Sequence, residues 1–472
     1  MGIKVLDIES LLAFPESRTL EFKENLTSLK PILKTLIAFA NTAGGILIIG
    51  CGDDGKIIGV ENVLASEEKL ANSIADSIFP PLMPEIEIAS VKGCSLLVVR
   101  VPHWKGPFYL KSEGKEKGIY VRLGSTNRIA DAELLEELKR SIMKVSFDQL
   151  PCPEIDISGL DMNRIDNAFT KVGKKMDANM LETLHILVPY NNRLVCSNGG
   201  LILFGQDKYR KKYFPNTEVR CARFQGDKKV NFIDQYDAQG TILEAMDEVP
   251  KFIKRNTRLA ASIKKIKRKD IPEYSPIVIR EVLANALVHA DYSILGMNPR
   301  IAIFSNRLEI ESPGMLPFGY TLGDFFAGVS HVRNKVIARV FRELNIIEEW
   351  GTGYKRIKET CLTENYLIPQ WEELGASLRV ILKPHLATQE RSESDRIPDQ
   401  MELTIRQEEI KKLLQKKAAL TTKEIHKQLK LTISERTLRH DLLDMKEKGV
   451  VQMLGRGPST QWKLTLSYIQ TT

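Results

Sequence analysis

No run of about 18 uninterrupted apolar residues occurs in the 472-residue chain, so no membrane-spanning helix is expected. The six cysteines are scattered and form no CxxC pair, which argues against both a zinc ribbon and a disulfide framework. A phosphate-binding GxxxxGK(S/T) loop is also missing, and with it the usual engine of a nucleotide-driven motor. The opening MGIKVLDIES lacks a basic-then-apolar leader, and Leu6 spoils a myristoylation pattern. These absences together predict a reducing, cytoplasmic setting.

What is present is ample apolar material, 43% of residues, in a chain too long for one ordinary domain. The formal net charge of +8 permits phosphate-rich partners without demanding them. Residues 251–269 (KFIKRNTRLAASIKKIKRK) are densely basic with no acid among them. They read either as a solvated helix face or as a strip for phosphate backbones.

Residues 16–59 form a compact unit. Leu20 and Phe22 alternate with Glu21 and Lys23, as in a half-buried strand. Ser28 and Pro31 open a helix carrying Ile32, Leu36, Ile37 and Ala40 at helical spacing. Residues 41–45 (NTAGG) stop that helix, residues 46–49 suit a buried strand, and residues 52–55 (GDDG) suit a hairpin loop. Glu16 and Glu21 from one segment and Asp53 and Asp54 from another therefore reach neighbouring turns. Carboxylates so delivered can hold a divalent metal for phosphodiester hydrolysis. They can equally be solvated, with Glu21 paired to Lys23 or Arg18.

Three ordered motifs, ESRTLEFK, FANTAGG and ILIIGCGDDGKIIG, together with GIYVRLGSTN at 118–127, resemble the Schlafen-type AlbA_2 domain. The resemblance implies an α+β fold that contacts nucleic acid, with Lys23 and Arg122 as candidate contacts. Some relatives are ribonucleases using two glutamates and an aspartate. By that resemblance Glu16, Glu21 and Asp53 would hold Mg2+ or Mn2+, although Gly52 occupies a position that is often acidic.

Further on, helices are expected at 130–144, from Met162 to Val172, at 181–188 and at 241–255, the last kinked or interrupted at Pro250. Strands are expected at 199–204 and 218–224. Residues 151–153 (PCP) mark a domain boundary. Glu281, Asn285 and His289 share one side of a helix at i, i+4 and i+8. Paired strands at 300–304 and 308–311, a break at Ser312-Pro313-Gly314, and the turn 350–356 (WGTGYKR) follow. Such a glycine turn frees N–H groups for phosphate oxygens.

This ordered set resembles the GHKL-type ATPase fold, in the HATPase_c_4 form found beside AlbA_2 in bacterial and archaeal regulators related to the C-terminal region of RecG helicase. The resemblance implies ATP and Mg2+. Glu281 would polarise the attacking water and Asn285 would hold magnesium. Glu311, Gly314, Gly351 and Gly353 fall on the remaining nucleotide-binding boxes, with Glu311 replacing an adenine-reading aspartate and Pro313 replacing a glycine.

Residues 386–402 lose the apolar pattern and read as a polar linker. The remaining order is helix, helix, helix, hairpin, which resembles a winged helix-turn-helix. That resemblance puts the third helix in the DNA major groove, with Thr437, Arg439 and His440 facing bases and Arg456 on the wing.

The expected class is thus α/β multidomain: an AlbA_2 α+β domain over 1–150, a GHKL-like α/β sandwich over 151–385, a linker over 386–402, and a winged helix over 403–472. The expected function is a prokaryotic nucleic-acid-binding transcriptional regulator, nucleotide-responsive, acting on DNA and as a homo-oligomer. The alternative is a metal-dependent nuclease acting on structured RNA or DNA. Whether the chain is an enzyme, as a weak ATPase or as that nuclease, is left open by its residues.

Overall fold

Apolar side chains of the first part alternate across a four-stranded sheet and so feed two cores. The strand order is Leu20–Lys23, Gly45–Ile49, Cys94–Val101, Glu85–Val91, parallel for the first pair and antiparallel thereafter. Leu47, Ile49, Leu97 and Val99 pack with Leu36, Ile37 and Phe39 of the helix Leu29–Thr42. On the other face Phe22, Ile48, Leu96 and Val98 pack with Ile8. The structure is a computed structural model. It describes residues 5–264, 267–348, 353–389, 405–416, 419–429, 435–447, 450–454 and 460–465.

The chain divides into two compact units, Met1–Thr388 and Gln389–Thr472. The boundary expected near residue 150 falls inside the first unit, where Cys152 N–H donates to Cys196 O at 2.8 Å. Of the expected linker, Leu386–Gln389 is a short helix, and residues 390–402 lie outside the described ones.

The rest of the first unit is built on a six-stranded mixed sheet. Its order is Phe232–Ala238, Val219–Phe224, Arg300–Ile303, Leu308–Pro313, Ser377–Leu382, Gln370–Leu374. Its apolar face (Val219, Cys221, Ile301, Ile303, Ile310, Val380) is buried under the helices Ile242–Arg255, Pro276–Val288, Lys335–Glu343 and Gly353–Glu364. Strand register aligns Asp237, Arg220, Arg300, Glu311, Arg379 and Glu372 on the opposite face. Those charges largely alternate in sign, which suits a face turned to water.

Several expectations are corrected. Residues 199–204 are not a strand: Asn198–Phe204 is a helix, with Ser197 Oγ accepting from Gly200 N–H at 2.9 Å. An apolar run of that length fits a buried helix as well as a strand. Its glycines let it press close, since a Cβ at Gly199 would lie 2.8 Å from Val336 Cβ and one at Gly200 would lie 2.4 Å from Ile186 O. The helix expected at 181–188 ends early, as Ala178–Thr183; His185 turns to φ +58 and Leu187–Tyr190 is a strand.

The helix Ile242–Arg255 is continuous through Pro250. The basic run 251–269 is no single helix face. Thr257 Oγ1 donates back to Ile253 O at 2.7 Å as the helix ends, and the chain then forms the hairpin Leu259–Lys264/Lys267–Pro272. The strand Leu308–Pro313 runs through Ser312 and Pro313 and breaks only at Gly314, φ +98.

The two parts of the first unit meet around the loop 314–320. Arg18, 7% exposed, donates to Glu373 Oε1 at 2.8 Å and to Leu316 O at 3.0 Å. Gly319 N–H donates to Thr42 O at 2.7 Å. Arg333 bridges Glu137 at 2.5 Å and Asp291 at 3.0 Å.

The second unit is a small three-helix fold with a hairpin. Its helices are Ile405–Lys416, Thr422–Gln428 and Glu435–Glu447, and a sheet orders Leu420–Thr421, Gln461–Leu464 and Val451–Leu454. Ile410, Leu414, Ile425, Leu438, Leu442, Met445 and Trp462 fill its core. Thr421 and Glu424 form a capping box that starts the second helix. No helix among the described residues is long and apolar enough to cross a membrane.

Candidate functional site

Of the acids expected in the first part, the two glutamates are already engaged. Glu21 is 5% exposed. One of its oxygens pairs with the guanidinium of Arg122 and the other lies 2.5 Å from Lys23 Nζ. Glu16 Oε1 accepts Phe22 N–H at 3.0 Å. Asp53 is exposed in the 52–55 turn. Burial first, then the charges of Asp53, Asp54 and Glu16, push the Cys51 thiol up to about 12.

Among the described residues no three His, Cys, Asp or Glu side chains stand grouped as a metal site. A divalent cation at Glu21 would have to displace a buried guanidinium. The donor set therefore does not fit the expected metal. Arg122 is likewise corrected as a nucleic-acid contact: it is 0% exposed and donates to Ser17 O and Asn127 Oδ1, each within 3.1 Å. A short, alternating strand gives no sign that its acid is sealed by a cation 101 residues away.

In the second part the helix Pro276–Val288 presents Glu281, Asn285 and, at its C-cap, His289 to one cavity. Ile310, Ser312, Gly314, Tyr320, Gly353 and Arg356 are among the residues that line it. Its volume is about 160 Å³. That is the size of a cavity that takes benzene, so its enclosed part suits one ring-sized group such as a nucleobase.

Gly353 lets the start of its helix approach closely: a Cβ there would stand 2.4 Å from Glu281 Oε1, so the Glu281 side chain would have to swing aside. One turn further, Arg356 lies 3.5 Å from Glu281. Burial raises the Glu281 carboxyl above its ordinary range, against the pull of Arg356 and Asn285. Burial also pushes His289 down to about 4, helped by Arg333 and His331, so its imidazole is neutral.

Glu311 is not part of this wall. Strand alternation turns it to the opposite face from Ile310 and Ser312, where Arg379 lies at 3.2 Å and Ser377 Oγ donates at 3.2 Å. The structure thus brings together Glu281, Asn285, Gly314 and Gly353 and separates Glu311. Gly351 lies outside the described residues. Sequence reasoning missed Ser312, Tyr320 and Arg356; the spacing of Arg356 three residues beyond Gly353 was the only available signal.

In the second unit Arg439 and His440 are exposed on the third helix, and Arg439 lies 4.0 Å from Glu435. Thr437 is half-buried on the same helix. Leu438 and Leu442 anchor the helix inward. Arg456 lies outside the described residues.

A helix-turn-helix unit and a ring-sized cavity under a mixed sheet define a multidomain α/β protein. Its segments match known families: residues 16–131 match Schlafen, AlbA_2; residues 296–382 match the HATPase_c_4 family, described as ATP-dependent DNA helicase recG C-terminal; residues 406–457 match the DeoR-like helix-turn-helix domain. The chain carries these three domains in that order, AlbA_2 first and DeoR-like helix-turn-helix last. Glu281 and Asn285 precede the second matched segment.

A crystal structure of a Corynebacterium diphtheriae protein is similar over 98% of this chain and 97% of its own, at 18% identity and a TM-score of 0.43. The solution structure of the N-terminal domain of a RecG-related protein from Nitrosomonas europaea covers 28% of this chain and 97% of its own, at 30% identity and a TM-score of 0.22. No curated protein matches.

Proposed function

We propose that the chain is a transcriptional regulator that reads duplex DNA through its C-terminal winged helix, as a homo-oligomer on a two-fold site, and responds to a nucleotide in its HATPase_c_4 region. The observation that carries this reading is the exposed Arg439 and His440 on a third helix held inward by Leu438 and Leu442, within a DeoR-like match. Side chains so placed can reach base edges when that helix enters a major groove.

The nucleotide part rests on the cavity between Glu281, Asn285 and Gly353. It has room for a base, and Asn285 and the start of the Gly353–Glu364 helix are the groups that would hold phosphate and magnesium. Bound magnesium would neutralise phosphate charge there. Glu281 faces Arg356 at 3.5 Å, so its carboxylate is compensated rather than free to polarise water. Binding without efficient turnover is the expected behaviour. The hydrolytic alternative finds no support in a Glu21 sealed by Arg122 and Lys23.

The test is selection of bound duplexes from a random-sequence pool, followed by titration of the winner. Arg439→Ala should weaken binding by at least about tenfold and relax base preference. If the parent enriches no sequence, or Arg439→Ala binds the winner as the parent does, the recognition reading is wrong.

A further inference from the structure

A second cavity, unconnected with the sequence motifs, opens between the two parts of the first unit. It is a cleft of about 660 Å³, within the roughly 300–1,000 Å³ typical of ligand sites. Its cations come from separate elements: Lys105 from the loop after strand Cys94–Val101, Arg140 and Lys144 from the end of helix Ala132–Met143, and Lys335 from the start of helix Lys335–Glu343. Its two carboxylates, Glu137 and Asp291, both pair with Arg333, which leaves one negative charge against the other four cations.

Lys105 and Lys144 are exposed, and neither side chain has an acidic partner among the described residues. Lys335 Nζ donates to the backbone carbonyl of Lys144 at 2.6 Å, which brings its ammonium to the end of the helix that carries Lys144. Trp104, 43% exposed, also lines the cleft, and its ring stacks on no other ring among the described residues.

An uncompensated basic groove beside an open aromatic face is the arrangement that binds single strands. The cations follow the backbone while any base can stack on the ring. A free anion would not need the indole, and a paired duplex would not offer its stacked bases to it. We infer that this cleft binds a single-stranded polynucleotide, with a base stacked on Trp104 and phosphates on Lys105, Lys144 and Lys335. The cleft shares Pro317, Ser330, His331 and Val332 with the wall of the ring-sized cavity. This site is independent of the duplex contact through Arg439.

The test uses the full chain and fluorescein-labelled oligo(dT) and oligo(U), followed by anisotropy over a salt series. The parent should bind at low salt, and the two labels show whether deoxyribose or ribose is preferred. Trp104→Ala should weaken binding about tenfold or more, and Trp104→Phe should largely restore it. Lys105→Ala with Lys144→Ala should reduce the slope of log affinity against log salt by about 1.4, while Lys105→Arg leaves it unchanged. Arg439→Ala should not affect single-strand binding, which separates this site from the winged helix. The inference is overturned if the parent binds neither oligonucleotide, if the Trp104 and lysine variants bind like the parent, or if polyglutamate displaces the label as well as unlabelled oligonucleotide does.

Discussion

Replacing Arg18 by Met should loosen the seam between the two parts of the first unit. The guanidinium holds Glu373 at 2.8 Å and Leu316 O at 3.0 Å, with Tyr320 O at 3.4 Å. Breaking a buried pair by removing one partner costs about 3–5 kcal/mol. Glu373 keeps 19% side-chain exposure and the Leu316 N–H at 3.1 Å, which places this case at the low end, about 3 kcal/mol. The nearby Gly319 N–H, bonded to Thr42 O, is the natural reporter of the seam. In hydrogen exchange its protection should fall about 100-fold, the equivalent of that energy. A double-mutant cycle with Glu373→Gln should show strong coupling. If Gly319 exchanges within about twofold of the parent rate, Arg18 does not hold the parts together and the reasoning fails.

Other outcomes can be measured in parallel. Gly353→Ala, whose Cβ would meet Glu281 Oε1 at 2.4 Å and push that side chain into the cavity, should weaken nucleotide binding in calorimetry while the unit stays folded; unchanged affinity would contradict the assignment of this cavity. Glu21→Gln should destabilise the first unit by about 3 kcal/mol in urea, because it leaves Arg122 buried and unpaired; an unchanged midpoint would contradict the seal. His289 titrates at about 4 in the folded chain, below the ordinary 6.5. The unfolded chain therefore binds the extra proton, and stability is full above pH 6.5 and lost as pH falls toward 4. The loss is at most about 3 kcal/mol, and His289→Gln should flatten that part of the stability–pH curve.

Much of the architecture was legible because period and punctuation agree with the fold. The Leu20–Lys23 strand, the Leu29–Thr42 helix and the Gly44 turn each carry local signals that tertiary packing leaves in place. The Asn198–Phe204 helix was not legible: nothing local separates a buried helix from a buried strand, and its glycines answer to Val336 and Ile186, distant in sequence.

The candidate sites divide in the same way. Glu281, Asn285 and Gly353 converge because helical spacing and a glycine turn are local rules. Glu311 is separated because alternation between Ile310 and Ser312 carries the acid to the far face of its strand. Arg122 and Glu21 failed because their pairing crosses the domain, and the basic cleft went unseen because its lysines come from three separate elements.

The most direct test is equilibrium binding of the purified full chain to duplex DNA and to single-stranded oligonucleotide at low ionic strength, each followed up a salt gradient. The account predicts that both bind, that both weaken steeply with salt, and that Arg439→Ala impairs only the duplex while Trp104→Ala impairs only the single strand. Absence of affinity for either polynucleotide at low salt would contradict it.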